Sequence, residues 1–424
     1  MERVANISIG VHRDTPRIYL QGKWIVDNGF QPGSKITVQF SKDCITITPG
    51  SGRTVSAKQD GKVGVIDINS PEIRQAFESA QKLTVTATAG TITITKALTV
   101  AKRAARVLTT ACVAICAGGG LLSQAASQAG FNTVAAVEIE EGYANIYQHN
   151  HGGRMYNMSV EEVPWDDIAR LGPIGLLEMG IPCEPFSAIR RLDKGGQEKR
   201  DKSLPPEAHA HGDLTFWALL AVDRLNPHTC IFEEVPGYLE SGAYYILHHA
   251  LERMGYTVAA QILNPVDYGS LTGRKRAVII ATTFDTVQWP LKFSLPRTLG
   301  EILEAIPDDS PEWFDRVSKA WVFNHWESQT AKGNGFEPPK LTAQSASCPT
   351  IKKRYFAGQG DNPVVAHPTK PGVCRWLTLT EVKRLMGVPE SYYLGESKTT
   401  AGEILGQGVQ VEMFTKVIKA VTRV

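Results

Sequence analysis

Apolar and polar positions alternate with period two through the first hundred residues. Runs such as KITVQF, CITIT and LTVTATAGTITITK therefore predict half-buried β-strands. The segment also repeats itself at an offset of about 47 residues. Phe30-Gln31-Pro32-Gly33-Ser34-Lys35-Ile36-Thr37-Val38 aligns with Phe77-Glu78-Ser79-Ala80-Gln81-Lys82-Leu83-Thr84-Val85, and Ile45-Thr46-Ile47-Thr48 with Ile92-Thr93-Ile94-Thr95. After a one-residue slip upstream, Ile18, Leu20 and Ile25 match Ile66, Ile68 and Ile73. Repeats over residues 15–50 and 62–97 each read as a strand, a short helix and a β-hairpin. A unit that small buries too little apolar surface alone, so the two copies are expected to share one core.

From residue 107 the pattern changes to apolar runs followed by helical periodicity, the mark of an open α/β sheet. VLTTACVAICAGGGLLSQAASQAGF reads as strand, glycine turn and helix, and Gly118, Gly119 and Gly120 let a ligand approach the helix N-terminus. The next strand, in VAAVEIEEGY, ends at Glu138, where an acid can accept the ribose hydroxyls of a nucleoside cofactor. GLLEMGIPCEPFS is an apolar strand running into Pro182 and Cys183. Proline stiffens the approach, and the strand's carboxyl end is where open sheets bind ligands, so Cys183 is a candidate nucleophile. In HTCIFEEVPGYLE, Glu233 and Glu234 end another buried strand; acids there are costly to desolvate, which points to a role for one of them. Arg274-Lys275-Arg276 precedes the apolar run 277–281, and strand alternation is expected to put Arg274 and Arg276 on one face.

A chain of 424 residues is too long for one core and predicts two or three domains. Its apolar fraction of 42% and charged fraction of 21% are those of a soluble globular protein. The seven cysteines form no CxxC pair, so neither a metal site nor a disulfide framework is expected, and a reducing cytoplasm fits best. MERVANISIG has neither the basic nor the apolar region of a signal peptide, and no run approaches the roughly 20 apolar residues that span a membrane. A net charge of +2 excludes a strongly cationic nucleic-acid binder, but the charge is segregated. Residues 1–100 carry 12 basic against 8 acidic side chains; 301–315 carry six acids and no base, while 340–375 carry six bases and one acid. Such segregation suits a surface that handles DNA.

The ordered motifs resemble the DNA (cytosine-5) methyltransferase family over residues 107–424. The glycine turn matches its cofactor motif, Pro182-Cys183 its nucleophile motif and Phe232-Glu233-Glu234-Val235 its acidic motif. Thr272-Gly273-Arg274-Lys275-Arg276 stands in the place of its Q-x-R-x-R, RWLTLTE and RLMGVP (375–381 and 384–389) in that of its late conserved block, and Gly406-Gln407-Gly408-Val409 in that of G-N-S-V. The resemblance implies a Rossmann-like S-adenosylmethionine-dependent methyltransferase sheet over 105–284 and 375–424, with a small target-recognition region over 285–374. It implies that Cys183 adds to C6 of a cytosine flipped out of the duplex, that Glu233 holds N3 and the exocyclic amine, and that Arg276, with Arg274 behind it, donates to O2. The implied cofactor residues are Cys116, Ala117, Gly118, Gly119, Gly120 and Leu121, then Glu138, Ile139, Met158, Ser159, Pro182, Gln407 and Gly408. Ser187, Arg190, Arg191 and Lys194 after the nucleophile, and Lys352, Lys353 and Arg354 further on, are the implied DNA contacts. The implied partners are double-stranded DNA and a cognate restriction endonuclease, in a bacterial or phage-infected cytoplasm. The cysteine argues against methylation at an exocyclic nitrogen, where the related enzymes carry an Asp/Asn-Pro-Pro-aromatic segment instead.

The first N-terminal copy, RIYLQGKWIVDNGFQPGSKITVQFSKDCITIT, resembles the small swapped-hairpin domains of the SymE and AbrB type. Those are dimers, often DNA-binding, so the tandem copy implies a single-chain pseudo-dimer; a scaffold or partner-binding role stands equally open. Several positions depart from the methyltransferase pattern. Ala114 replaces an Asp, Cys116 a Phe, Glu234 an Asn, Thr272 a Gln, and Gln407-Gly408 an Asn-Ser pair; Asn157-Met158-Ser159 is the nearest stretch to the adenine-contacting segment and lacks its acid. The departures concern cofactor and scaffold rather than the reacting groups. Two alternatives stay open: an RNA-directed relative acting on tRNA, and a non-catalytic DNA-binding regulator on the same fold.

Overall fold

The computed structural model describes residues 3–59, 61–77, 82–96, 105–182, 186, 208, 211–293, 296–332, 340–357 and 362–423. The chain forms two compact units, Met1–Ala104 and Ala105–Val424.

The first unit is built twice over. One copy is β1 (Arg3–Ser8), β2 (Gly10–His12), β3 (Thr15–Gly22), α1 (Lys23–Asp27), β4 (Lys35–Ser41) and β5 (Cys44–Pro49). The other is β6 (Arg53–Thr54), β7 (Ser56–Lys58), β8 (Val63–Asn69), α2 (Glu72–Phe77), β9 (Lys82–Thr88) and β10 (Thr91–Lys96). Strand β3 pairs antiparallel with β8, Ile18 opposite Ile68 and Leu20 opposite Ile66, centred on Tyr19–Asp67. Strand β5 pairs with β10, Ile45 opposite Ile94 and Ile47 opposite Ile92, centred on Thr46–Thr93. Equivalent residues of the two repeats thus exchange places across both pairings, so a pseudo-two-fold axis passes through both centres. The sheet orders β1-β9-β10-β5-β4-β6 and β2-β3-β8-β7 read the same from either end. Each copy's first strand completes the other copy's sheet, β1 on β9 and β6 on β4. The inward isoleucines of both copies make one core, which neither copy could close alone.

The second unit centres on a seven-stranded sheet. Its elements are β11 (Ala111–Ile115), α3 (Leu121–Gln128), β12 (Asn132–Val137), α4 (Glu141–Asn150), β13 (Arg154–Tyr156), α5 (Trp165–Ala169), β14 (Leu176–Gly180), α6 (Leu214–Leu225), β15 (Thr229–Glu234), α7 (Gly242–Arg253), β16 (Thr257–Leu263) and β17 (Arg276–Thr282). The order β13-β12-β11-β14-β15-β17-β16 is parallel from β13 to β15, and β17 runs antiparallel to both its neighbours. The fold is the α/β sheet expected from the alternation of apolar runs and helices. Alternate residues of the central strands face two separate cores: Cys112, Leu176 and Ile231 on one side, Val113, Leu177 and Phe232 on the other.

The chain then forms α8 (Ala320–Ala331) and a small sheet of β18 (Lys340–Leu341), β19 (Val364–Ala366) and β20 (Cys374–Trp376), packed around Phe314, Val322, Trp326, Val364 and Cys374. Three helices return to the main sheet: α9 (Leu379–Leu385), α10 (Lys398–Gln407) and α11 (Val411–Thr422), the last lying on the α3 side. Among the described residues no helix is long and apolar enough to cross a membrane.

Candidate active site

Strand order reverses between β11 and β14, because β12 follows on one side of β11 and β14 lies on the other. Such a switch point opens a crevice at the carboxyl ends of the two strands. A cavity of about 570 Å³ occupies it, walled by the turn after β11, the end of β12, the exit from β14 and the ends of β15 and α10.

The turn after β11 carries left-handed backbone at Cys116, Gly118 and Gly120, with φ of 49°, 53° and 85°. Gly119 has no room for a side chain, since a Cβ there would lie 2.5 Å from Ile404. The turn is held from behind: Tyr392 donates to the Gly119 carbonyl at 2.7 Å, and His151 lies 3.0 Å from the Gly120 carbonyl and 2.8 Å from the Tyr392 hydroxyl. Burial pushes the His151 imidazole down to about 4, so it is neutral at physiological pH.

Glu138 is nearly buried and clamps the same turn. One of its oxygens accepts from Gly118 N at 2.6 Å and the other from Glu140 N at 2.9 Å. Burial raises its carboxyl above the usual range, while these backbone donors oppose the rise. Asn157 spends its side-chain amide on the carbonyls of Glu138 and Ile139, so it braces the acid strand, while Met158 and Ser159 face the cavity. Cys116, Ala117, Leu121, Ile139, Pro182, Gln407 and Gly408 also line it, so every residue expected to bind cofactor stands at one cavity.

Glu233 and Arg276 form an ion pair through Arg276 Nε on the same wall, both side chains about nine-tenths buried. Glu234 points the other way and does not line the cavity. One of its oxygens accepts from Val235 N at 2.7 Å and the other has no partner among the described residues. Burial, with Glu233 adding repulsion, pushes the Glu234 carboxyl up to about 9, so it is protonated at neutral pH. That neutrality explains how an acid can stand where the family keeps an amide. The unfolded chain ionises Glu234 above about 4.5, the folded chain only near 9, so stability falls across that window by up to about 1.4 kcal/mol per pH unit. Glu234→Gln should therefore melt with the native protein near pH 4.5 and increasingly above it towards pH 9. Melting curves that stay parallel across that range would show Glu234 ionised in the folded state.

Arg274 requires a correction. The strand begins at Arg276, so alternation does not extend back to Arg274. Arg274 is buried away from the cavity lining and donates to the carbonyls of Gln407 at 2.9 Å and Ile351 at 3.3 Å. It ties the end of α10 to the loop that carries Lys352, Lys353 and Arg354. That loop packs on α10 so closely that a Cβ at Gly406 would lie 2.4 Å from the backbone of Lys352 and Lys353. Lys352 and Arg354 are exposed, and Lys353 is 3.9 Å from Glu403. The basic loop thus lies beside Gln407, a cavity residue. Cys183, Ser187, Arg190, Arg191 and Lys194 lie outside the described residues. Pro182 brings the chain to the cavity at the residue before Cys183. His211 and Asp213, which no motif singled out, also line the cavity, as do Tyr143 and Glu178.

A mixed sheet, parallel from β13 to β15, with a glycine turn, an acid at the second strand and an acid–arginine pair at its switch point is the architecture of a Rossmann-like methyltransferase domain. Residues 110–423 match the C-5 cytosine-specific DNA methylase family, and the chain belongs to it; its enzyme class is DNA (cytosine-5) methyltransferase. Residues 2–49 match the family of toxin SymE of a type I toxin–antitoxin system. The chain is 27% identical over 286 residues to the type II methyltransferase M.NlaX of Neisseria lactamica, covering 66% of this chain and 85% of that one. It is 25% identical over 300 residues to M.DsaV of Dactylococcopsis salina, covering 67% and 78%. Among solved structures, Dnmt2 methyltransferase of S. pombe shares the fold with a TM-score of 0.58 at 20% identity, covering 74% of this chain and 98% of that one.

Proposed function

We propose that this chain methylates C5 of cytosine in double-stranded DNA, with S-adenosylmethionine as donor and Cys183 as covalent nucleophile. The reading rests most on the Glu233–Arg276 pair, which shares one cavity with the glycine turn and Pro182. The cavity suits the donor in size and chemistry. Glu138 offers carboxylate lone pairs for ribose hydroxyls, Ile139 and Met158 offer apolar surface for adenine, and open space lies before Gly118. An oxygen of Glu178, buried and without a partner among the described residues, belongs to a side chain on the same wall.

Bound there, the donor supplies a methyl group on a positively charged sulfur. Cytosine C5 is too weak a nucleophile to take it unaided. The Cys183 thiolate would form a bond to C6, moving the ring's π electrons towards C5 and N3, where Glu233 shares a proton and accepts from the exocyclic amine. Arg276 gives Nε to Glu233 and Nη1 to the Lys275 carbonyl at 2.9 Å, which leaves Nη2 for the base's O2. C5 would then displace the methyl group from the sulfonium sulfur, which keeps the bonding electron pair and leaves as a neutral thioether. Loss of the C5 proton to a base breaks the carbon–sulfur bond and frees the thiolate. Because these atoms are covered in a stacked duplex, the base must be flipped out.

On this reading residues 105–284 and 375–424 are the catalytic part, and 285–374 choose the target sequence. Lys352, Lys353 and Arg354 would contact DNA backbone beside the cavity. The type II naming of the relatives extends the proposal to a cognate restriction endonuclease in a bacterial or phage-infected cytoplasm. The two-fold construction and positive surplus of the N-terminal unit support binding of nucleic acid or of a partner. Transfer of a tritiated methyl group to unmethylated duplex DNA but not to tRNA is the expected result; transfer to tRNA alone would contradict it.

A further inference from the structure

We propose that Glu178 is a cofactor-binding residue whose carboxylate receives the primary amine at the amino-acid end of the methyl donor. This deepens the reading above and rests on it.

Three neighbouring strands meet at one level of the sheet, where Ala114 of β11 pairs with Ala136 of β12 on one side and Glu178 of β14 on the other. Partners across parallel strands point to the same face. Two alanines beside it therefore leave the Glu178 side chain room, and the family's missing acid at position 114 reappears one strand away.

Oε1 of Glu178 accepts from the Ser123 hydroxyl, in the first turn of α3, and Ser123 in turn accepts from the Tyr147 hydroxyl at 2.8 Å. This orients Ser123 and fixes the acid. Oε2 is buried, has no hydrogen-bond partner among the described residues, and belongs to a side chain that lines the cavity. A buried acid oxygen left so is costly unless a ligand completes it. The groups around it are uncharged at neutral pH. Cys112 comes from β11, Tyr147 and the neutral His151 from α4 and its end, and Tyr392 from the segment after α9. No cation among the described residues offsets Glu178, and burial pushes its carboxyl up to about 8. A cationic amine would supply the missing donor and the missing charge together, and binding would then release a proton.

Calorimetry of the full chain tests this with S-adenosylhomocysteine, which carries the amine but no sulfonium, and methylthioadenosine, which lacks both. Glu178→Gln keeps the acceptor for Ser123 and should melt no lower than the native protein. It should bind S-adenosylhomocysteine about 10- to 100-fold more weakly while holding methylthioadenosine unchanged. Repeating the titration in buffers of different ionisation enthalpy should show a proton released by the native protein and none by the variant. The double variant Ala114→Asp/Glu178→Leu, which returns an acid to β11, should recover part of the lost affinity. Equal loss for both ligands, or no loss for either, would overturn the assignment to the amine while leaving the donor intact. Failure of S-adenosylhomocysteine to bind the native protein would overturn the donor and this assignment together.

Discussion

Glu233→Gln should slow methyl transfer to duplex DNA by about 10²- to 10⁴-fold in a single turnover, the range that positioned acid–base groups contribute. The amide keeps the volume of the acid and one acceptor for Arg276 Nε, so the fold should survive. It removes the negative charge that Arg276 is paired with and the group that can share a proton with N3. The pair sits in a site about nine-tenths shielded from water, where such interactions exceed their strength at a surface. The variant's melting temperature and its affinity for S-adenosylhomocysteine should stay close to native, separating chemistry from binding. A loss under about tenfold would remove Glu233 from the reaction, since even one such group supplies more.

Glu381→Ala should be the most destabilising single change in the second unit. Arg375 and Glu381 are both buried and joined by two bonds of 2.7 Å. The same carboxylate accepts from Glu304 N at 2.7 Å and Thr378 N at 2.9 Å, and the Thr378 hydroxyl in turn accepts from Glu381 N at 3.1 Å, closing a capping box at the start of α9. Removing the acid strands a buried guanidinium and two backbone donors, at a cost of about 3–5 kcal/mol. For a unit of this size that is a drop in melting temperature on the order of 10 °C. Adding Arg375→Met should restore part of it, because the stranded charge is gone. A Glu381→Ala variant that melts within about 2 °C of native would show the pair to be dispensable. The arginine and the acid in RWLTLTE are thus accounted for by a buried strut.

The strands whose side chains alternate between core and surface are legible in the order of apolar and polar residues, as in β4, β5, β9 and β10. The first two strands of each N-terminal copy were not. β1 and β2, like β6 and β7, have no fully buried residue and so lack a core-facing apolar series, although β1 and β6 complete the exchange between the copies. The glycine turn, Glu138, Glu233 and Arg276 were legible because each ends or begins an apolar strand at the switch point. Arg274 lies two residues ahead of the strand, and its side chain satisfies carbonyls from two segments far away in sequence, which no local pattern records. Glu178 carries no signal of its own inside the apolar run GLLEMG, because its meaning depends on two alanines in neighbouring strands. His211 and Asp213 reach the cavity from a stretch without motif, and only the folded backbone brings them there.

On the proposed function, cytosine C5 is methylated through a covalent bond to Cys183. Bisulfite sequencing of DNA from cells expressing the native chain or Cys183→Ala tests it most directly. Protected cytosines in a fixed sequence context are expected with the native chain and none with the variant. Equal protection in both would contradict the nucleophile, and no protected cytosine with the native chain would contradict DNA methylation itself.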